Sequence, residues 1–316
     1  LTRARLLAPW DLDACSATIQ LYYCTKRHKD ILGFVDNYIN EYSTLYPFFL
    51  WKGNYFQYTL RQPEKSLEFY RLALRKILYK KARDFCDAYA FTNNMFDEIL
   101  DRYLSALVAC DRSLTAFSEI LKYEKYKLGS KIASFKRRLL LYVITGKFDE
   151  AEILLSSLSQ RIKESAEILN LTALLRNKQG EFFKAKEIIE KAISMDKDYI
   201  ESYETLGEIQ INLKRWHEAL ETYTYLSNRT FYTAFVMKKI GVCHFHLNDL
   251  EKAVEYYKEA LEHDEFDAEV WVKLGDAYSK QGERELAVSA YQKGLTFDWL
   301  DNEKRQYAEG AIKNLR

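Results

Sequence analysis

The chain has 316 residues, 48% hydrophobic and 29% charged, with a formal net charge of +1. That is ample apolar material for a core, which excludes an intrinsically disordered chain. Three prolines and 11 glycines are too few for an all-β chain of short, turn-bounded strands, so helices are expected.

Leu1 to Pro9 read as the end of a helix cut partway through a structural unit. Residues 12–45 carry a weak helix pair with Ile31 and Val35 at packing positions. Aromatics then crowd the stretch from Tyr42 to Tyr58, including Tyr46, Phe48, Phe49, Trp51, Tyr55 and Phe56. One helix face cannot bury all of these. They pack against an N-terminal neighbour that is missing from this sequence, or they form a partner-binding patch. Glu64 to Leu74 follow the period of a helix that closes a unit near 47–80. Residues 81–131 are longer than one unit. A helix pair is expected there at roughly 95–109 and 112–127, after an extra segment around Phe85–Asn94.

From residue 132 the sequence repeats. Residues 132–165, 166–199, 200–233, 234–267 and 268–301 align without gaps as five blocks of 34 residues. Column 20 reads Ala151, Ala185, Ala219, Ala253 and Ala287, which chance gives about once in 10⁵ trials or less at ordinary composition. Column 8 reads Leu139, Ala173, Gly207, Gly241 and Gly275, column 24 Leu155, Ile189, Tyr223, Tyr257 and Tyr291, and column 4 Phe135, Leu169, Tyr203, Met237 and Trp271. Columns 4, 7 and 11 share one face of a first helix, and columns 20, 24 and 27 one face of a second. Small residues at columns 8 and 20 let the two backbones approach, and aromatics fill the flanks. Column 15, between the helices, holds Gly146, Gly180, Lys214, Asn248 and Gly282. Gly and Asn tolerate the left-handed conformation that ends a helix, so Lys214 implies a strained or differently shaped turn. After the fifth block, Asp301 or Asn302 is positioned to cap a last helix over 302–316. Tyr307, Ala311, Ile312 and Leu315 would face the array, and Glu303, Lys304, Arg305, Glu309 and Lys313 would face water. An array of this kind needs such a polar-backed cap, so the C-terminus reads as natural.

Period, column identities and helix–turn–helix grammar resemble the tetratricopeptide repeat family. The last block follows the family's W–LG–Y–A–F pattern with Trp271, Leu274, Gly275, Tyr278, Ala287 and Tyr291. The family's proline near column 32 is missing from all five blocks. The resemblance implies an all-α fold, a right-handed superhelical solenoid of antiparallel helix pairs. It would have divergent repeats over 1–131, five repeats and ten helices over 132–301, and a capping helix over 302–316. It also implies a function, that of a non-enzymatic scaffold gripping a peptide or helix of a partner protein. First helices of family members line a concave groove with columns 2, 5, 9, 12 and 13. Here these columns include Glu201, Glu204, Glu208, Phe235, Lys238, Val242, Phe245, His246, Val272 and Asp276. Family members that hold chaperone C-terminal carboxylates use a Lys/Asn/Asn/Lys/Arg set across three blocks. Asn170 and Lys238 stand at column 5, but no Asn stands at column 9, so that ligand is disfavoured.

Little else in the sequence points to chemistry. There is no phosphate loop, dinucleotide fingerprint, H-E-x-x-H or G-x-S-x-G, and no cofactor is implied. Cys243, His244 and His246 form the one tempting cluster, but His244 falls in a packing column, and core packing outweighs metal or nucleophile chemistry there. Five cysteines without a CxxC pair make neither a disulfide framework nor a zinc site and favour a reducing, cytoplasmic setting. No run of about 18 uncharged apolar residues exists to span a membrane. With no initiator Met, the chain is expected to begin at an internal boundary, which leaves open an anchor, a leader or a catalytic domain before it. In the last case the array would be the docking arm of a larger enzyme. Charge is split: residues 61–138 hold 17 basic and 10 acidic side chains, and 181–316 hold 19 and 26. The basic stretch fits an acidic protein or a solvated face better than nucleic acid, because no base-reading pattern accompanies it.

Overall fold

Five left-handed residues set the architecture of the second half of the chain. In the computed structural model, Gly146, Gly180, Lys214, Asn248 and Gly282 have φ between 57° and 85°. At each of them the following amide donates to the carbonyl five residues back, as Lys147 to Tyr142 (2.9 Å), Arg215 to Gln210 (2.8 Å) and Glu283 to Tyr278 (3.0 Å). That bond ends one helix and aims the chain back along it, so the next helix runs antiparallel. Lys214 makes the same turn as the glycines rather than a different one.

The structure describes residues 12–24, 27–41, 46–83, 89–125, 131–158, 160–163, 165–229, 233–298 and 300–315. Leu1 to Pro9, Tyr42 and part of the segment around Phe85 lie outside these. The chain divides into two compact units, Leu1–Arg137 and Arg138–Arg316, and no strand occurs among the described residues.

The first unit holds α1 (Leu12–Cys24), α2 (His28–Glu41), α3 (Tyr46–Asn54), a π-helical turn (Tyr55–Thr59), α4 (Pro63–Arg83), α5 (Tyr89–Ala109) and α6 (Ser113–Lys125). Ile31 and Val35 are buried on α2. Arg61 and Asp111 are left-handed like the column-15 residues further on; after Asp111 the Arg112 amide again reaches five residues back, to Leu107 (2.8 Å), whereas after Arg61 the Gln62 amide reaches six back, to Phe56 (2.8 Å). Pro63 then opens α4, where its missing N–H costs nothing. The π turn adds one residue to the first helix of this pair, which a π bulge does by definition. With that residue discounted, Gly53, Ser66 and Tyr70 take columns 8, 20 and 24. A Cβ on Gly53 would come within 2.6 Å of the Tyr70 ring, and Ser66 and Tyr70 are fully buried.

α7 (Lys131–Ile144) contains the division between the units. Beyond it come α8 (Phe148–Ser156) and a short α9 (Gln160–Lys163). The pairs α10/α11 (Ala166–Lys178, Phe182–Met195), α12/α13 (Ile200–Asn212, Trp216–Ser227), α14/α15 (Thr233–His246, Leu250–His263) and α16/α17 (Ala268–Gln281, Arg284–Leu295) follow, and α18 (Asn302–Leu315) closes the unit. α9 is an eleventh helix where ten were expected. All five column-20 alanines are fully buried. A Cβ on Gly207, Gly241 or Gly275 would meet the ring of Tyr223, Tyr257 or Tyr291 at 2.6–2.7 Å, so each glycine is the seat of one tyrosine. The Asp301 side chain accepts from the Lys304 amide at 2.8 Å and caps α18. Ile312 is buried and Ala311 and Leu315 pack against the core as the sequence led one to expect, but Tyr307 does not face it. Ala308 and Ile312 are buried while Tyr307 is 55% exposed, and Arg305 turns back to the carbonyls of Leu295 and Phe297.

Candidate partner-binding groove

In the second unit the first helices of successive pairs touch, α10 against α12 and α14 against α16, so residues on α10, α12, α14 and α16 share a surface. On α14, Phe235 is half-buried against the core and meets Tyr223 edge-on, with ring centroids 6.4 Å apart. The Lys239 ammonium lies 5.1 Å above the Phe235 ring. Val242 and Phe245 pack on the neighbouring core, and the Lys280 ammonium sits 3.9 Å from the Phe245 ring. His246 stacks flat on Trp216 at 3.9 Å. Burial, then Lys280, Lys273 and Lys214, hold its imidazole below the usual value. An apolar strip edged by cations results.

Three groove-column residues are otherwise committed. Val272 is only 4% exposed and belongs to the core, because the neighbouring helices close over column 5 of the last block. Asp276 accepts from Tyr291 at 2.6 Å and from Tyr307 at 2.8 Å, which ties α16 to α17 and α18. Lys238 bridges to Asp267 at 2.9 Å and Glu269 at 3.4 Å. Burial pulls its ammonium down, but the two carboxylates outweigh that and leave it above its ordinary value. Lys238 therefore anchors α14 to α16.

On α12, Glu201 is exposed and Glu204 and Glu208 are half-buried. Glu208 pairs with Lys239 at 3.2 Å. Burial first, then Glu201 and Glu208, raise the Glu204 carboxyl above the usual range.

The aromatic stretch of the first unit resolves against a patch. Phe48, Phe49 and Tyr55 are buried, and Tyr46 and Trp51 are half-buried. α3 packs against α2 on one side and α4 on the other, so it buries two faces. Phe48 stacks with Tyr38 at 5.0 Å and meets Trp51 edge-on. Burial, then Glu98, push the Tyr46 hydroxyl up to about 12. Nor is the basic stretch a free surface throughout. Arg137 is buried against Asp97 (2.9 Å) and Asp101 (2.5 Å), and Arg112 pairs with Glu64 at 3.0 Å.

Cys243 is fully buried, and burial pushes its thiol up to about 12, which removes the thiolate a nucleophile needs. His244 is buried, stacks on Tyr256 at 5.4 Å and reaches Asp249 at 3.3 Å. Among the described residues no three His, Cys, Asp or Glu side chains stand close enough to hold a metal ion. No helix among them is long and apolar enough to cross a membrane.

Two-helix units joined by left-handed turns, four of them with a tyrosine ring seated on a glycine, define a helical repeat protein whose units need only their neighbours. Tetratricopeptide repeat models match residues 234–267 and 268–298, so the chain carries tetratricopeptide repeats there. Such repeats are interaction modules, not typically catalytic ones, and the array is a protein-interaction scaffold. Among curated proteins none has a matching sequence. The chain is similar to a solved structure of Pseudomonas aeruginosa pilF, at 18% identity and a TM-score of 0.49 over 58% of this chain and 87% of that one. It is also similar to MamA 41-end from Desulfovibrio magneticus RS-1, at 16% identity and a TM-score of 0.47 over 54% and 96%. Scores of this size carry nothing about partner or activity.

Proposed function

We propose that this chain is a non-catalytic scaffold that grips a segment of a partner protein along α12, α14 and α16. The observation that supports the reading is the strip of Phe235, Val242 and Phe245. These side chains are half-buried on groove columns and edged by Lys239, Lys280 and His246. A helix face meant only for water has no reason to carry them, whereas apolar anchors inside a polar rim are how binding energy is concentrated at interfaces. Lys238, clamped by Asp267 and Glu269, holds the two helices in place so that the strip is formed before the partner arrives, which lowers the ordering cost of binding.

The test is the double variant Phe235→Ser with Phe245→Ser, after the partner has been captured with the wild-type chain and identified. With an unchanged circular dichroism spectrum, affinity should fall roughly thirtyfold or more, the size of loss expected when interface anchors are removed. Wild-type affinity in a folded double variant would move the site elsewhere.

A further inference from the structure

Charge is sorted along the first helices of the last four blocks. Column 2 holds Glu167, Glu201, Phe235 and Glu269, and column 13, at the far ends of the same helices, holds Lys178, Asn212, His246 and Lys280. Each sign suits the helix dipole at its own end, and the dipole alone asks only for a solvated rim. It does not ask that cations of separate repeats converge, and here those of three successive blocks do.

The Lys280 ammonium, from α16, lies 3.9 Å from the centre of the Phe245 ring on α14. The Phe245 ring stands at right angles to that of His246, with centroids 5.5 Å apart, and His246 lies flat on Trp216 at 3.9 Å. Trp216 opens α13 two residues after Lys214, the left-handed residue of that turn. The two lysines therefore flank a continuous row of rings. Burial first, then Lys280, Lys273 and Lys214, lower the His246 imidazole, and no carboxylate among the described residues acts against them. Lys273 has Glu269 at 3.7 Å. Lys214 and Lys280 are exposed and make no ion pair among the described residues. Two turns earlier on α14 the lysines are all matched, Lys238 to Asp267 and Glu269, and Lys239 to Glu208. Positive charge is thus left uncompensated at one place on the groove, beside its largest apolar side chains.

We infer that Lys280, Lys214 and His246 form a subsite for an aspartate or glutamate side chain of the bound protein segment. The inference rests on the groove reading above and deepens it by giving the segment a charge and a place for it. The subsite uses columns 13 and 15, away from columns 5 and 9, where the chaperone-tail set would stand. A carboxylate there meets two cations that no other group on the chain holds, and a large apolar neighbour on the same segment meets Phe245 and Val242. The carboxylate also stabilises the protonated imidazole against Lys280, Lys273 and Lys214, so His246 takes up a proton as the segment binds. The bound state then holds more protons than the free one, and affinity rises as pH falls toward the ordinary histidine value.

The experiment selects binders of the whole chain from a display library of random short peptides, with their C-termini amidated or fused so that only side chains carry acid. Selected peptides should be enriched in aspartate or glutamate next to a large apolar residue, and should bind more weakly as salt rises. For such a peptide, Lys214→Gln with Lys280→Gln should weaken binding roughly tenfold or more with no change in the melting temperature. Lys313→Gln, an exposed cation on α18, should leave it unchanged. An NMR titration should show the His246 pKa rising when the peptide is bound, which a merely structural histidine would not do. The inference is overturned if selection yields no binder, if the binders carry no excess of acid, if the lysine double variant binds as wild type does, or if Lys313→Gln loses as much. If the peptide is lost from the phenylalanine double variant but held normally by the lysine double variant, the groove stands and the acid subsite falls. The reverse pattern keeps the subsite and removes the phenylalanine anchors.

Discussion

Lys214 is the residue at which local preference and the repeat disagree. Its φ of 57° matches Asn248 at 63° and the glycines of the same column, although a left-handed β-carbon costs about 1–2 kcal/mol. The helices on either side impose the turn, and the side chain, exposed, tolerates it. Lys214→Gly should therefore stabilise the chain by about 0.5–1 kcal/mol, since strain relief exceeds the added freedom of the unfolded chain. Urea denaturation with an unchanged slope would measure this, and a destabilised variant would mean that the lysine side chain makes a contact worth more than the strain. Glu204 has the opposite character, being comfortable in backbone and crowded in charge. Its folded carboxyl lies above the ordinary carboxylate value, through burial first and Glu201 and Glu208 next. The native state holds its proton more tightly than the unfolded state does, so stability falls as pH rises from the ordinary value through the raised one, and stays reduced above it. Glu204→Gln should accordingly melt higher than wild type at neutral pH, and the difference should shrink to nothing below about pH 4. A constant difference across that range would point to a packing effect.

At the scale of elements, the last three pairs are each held by one ring seated on one glycine. Tyr257 is 1% exposed, and a β-carbon on Gly241 would lie 2.7 Å from it. Tyr257→Ala should cost about 3–5 kcal/mol as a cavity, and Gly241→Ala about 1–3 kcal/mol as overpacking. The two are not additive: with the ring removed, the extra methyl fits, so the double variant should be no worse than Tyr257→Ala alone. Thermal melts of the cycle test this, and simple additivity would show that the ring and the glycine do not meet. The π turn at Tyr55–Thr59 does the same seating one residue out of step, through Gly53 and Tyr70. Its inserted residue is why the block near 47–80 shows its second helix clearly in the sequence and hides its glycine.

For the molecule as a whole, the pairs behave as a line of neighbours, and the end of the line needs a cover. α18 supplies it with Ala308 and Ile312, and its Tyr307 shares Asp276 with Tyr291. Removing residues 302–316 should cost about 2–4 kcal/mol, mostly the apolar area of those side chains, and should leave a face that self-associates. Light scattering and a thermal melt would report both effects, and a truncated chain that stays monomeric and equally stable would mean that α17 closes the array alone.

The sequence by itself determined the paired helices of 166–301, their 34-residue spacing, the buried alanine column and the kind of repeat, because all of these follow from short-range rules: helical period, small residues where backbones meet, and turn residues at fixed offsets. Asp301 as the last cap belongs with them. What tertiary structure decided was which side chains remain available. Column position alone does not reveal that Val272 is closed over, that Asp276 is taken by two tyrosines, or that Lys238 is clamped by Asp267 and Glu269. Nor does it show that α3 buries its aromatics on two faces, or that Glu208, by turning to Lys239, leaves the Tyr223 hydroxyl unmatched. Each of these depends on a partner on another helix, and period fixes only which face of its own helix a side chain occupies, not what the neighbouring helix brings to meet it.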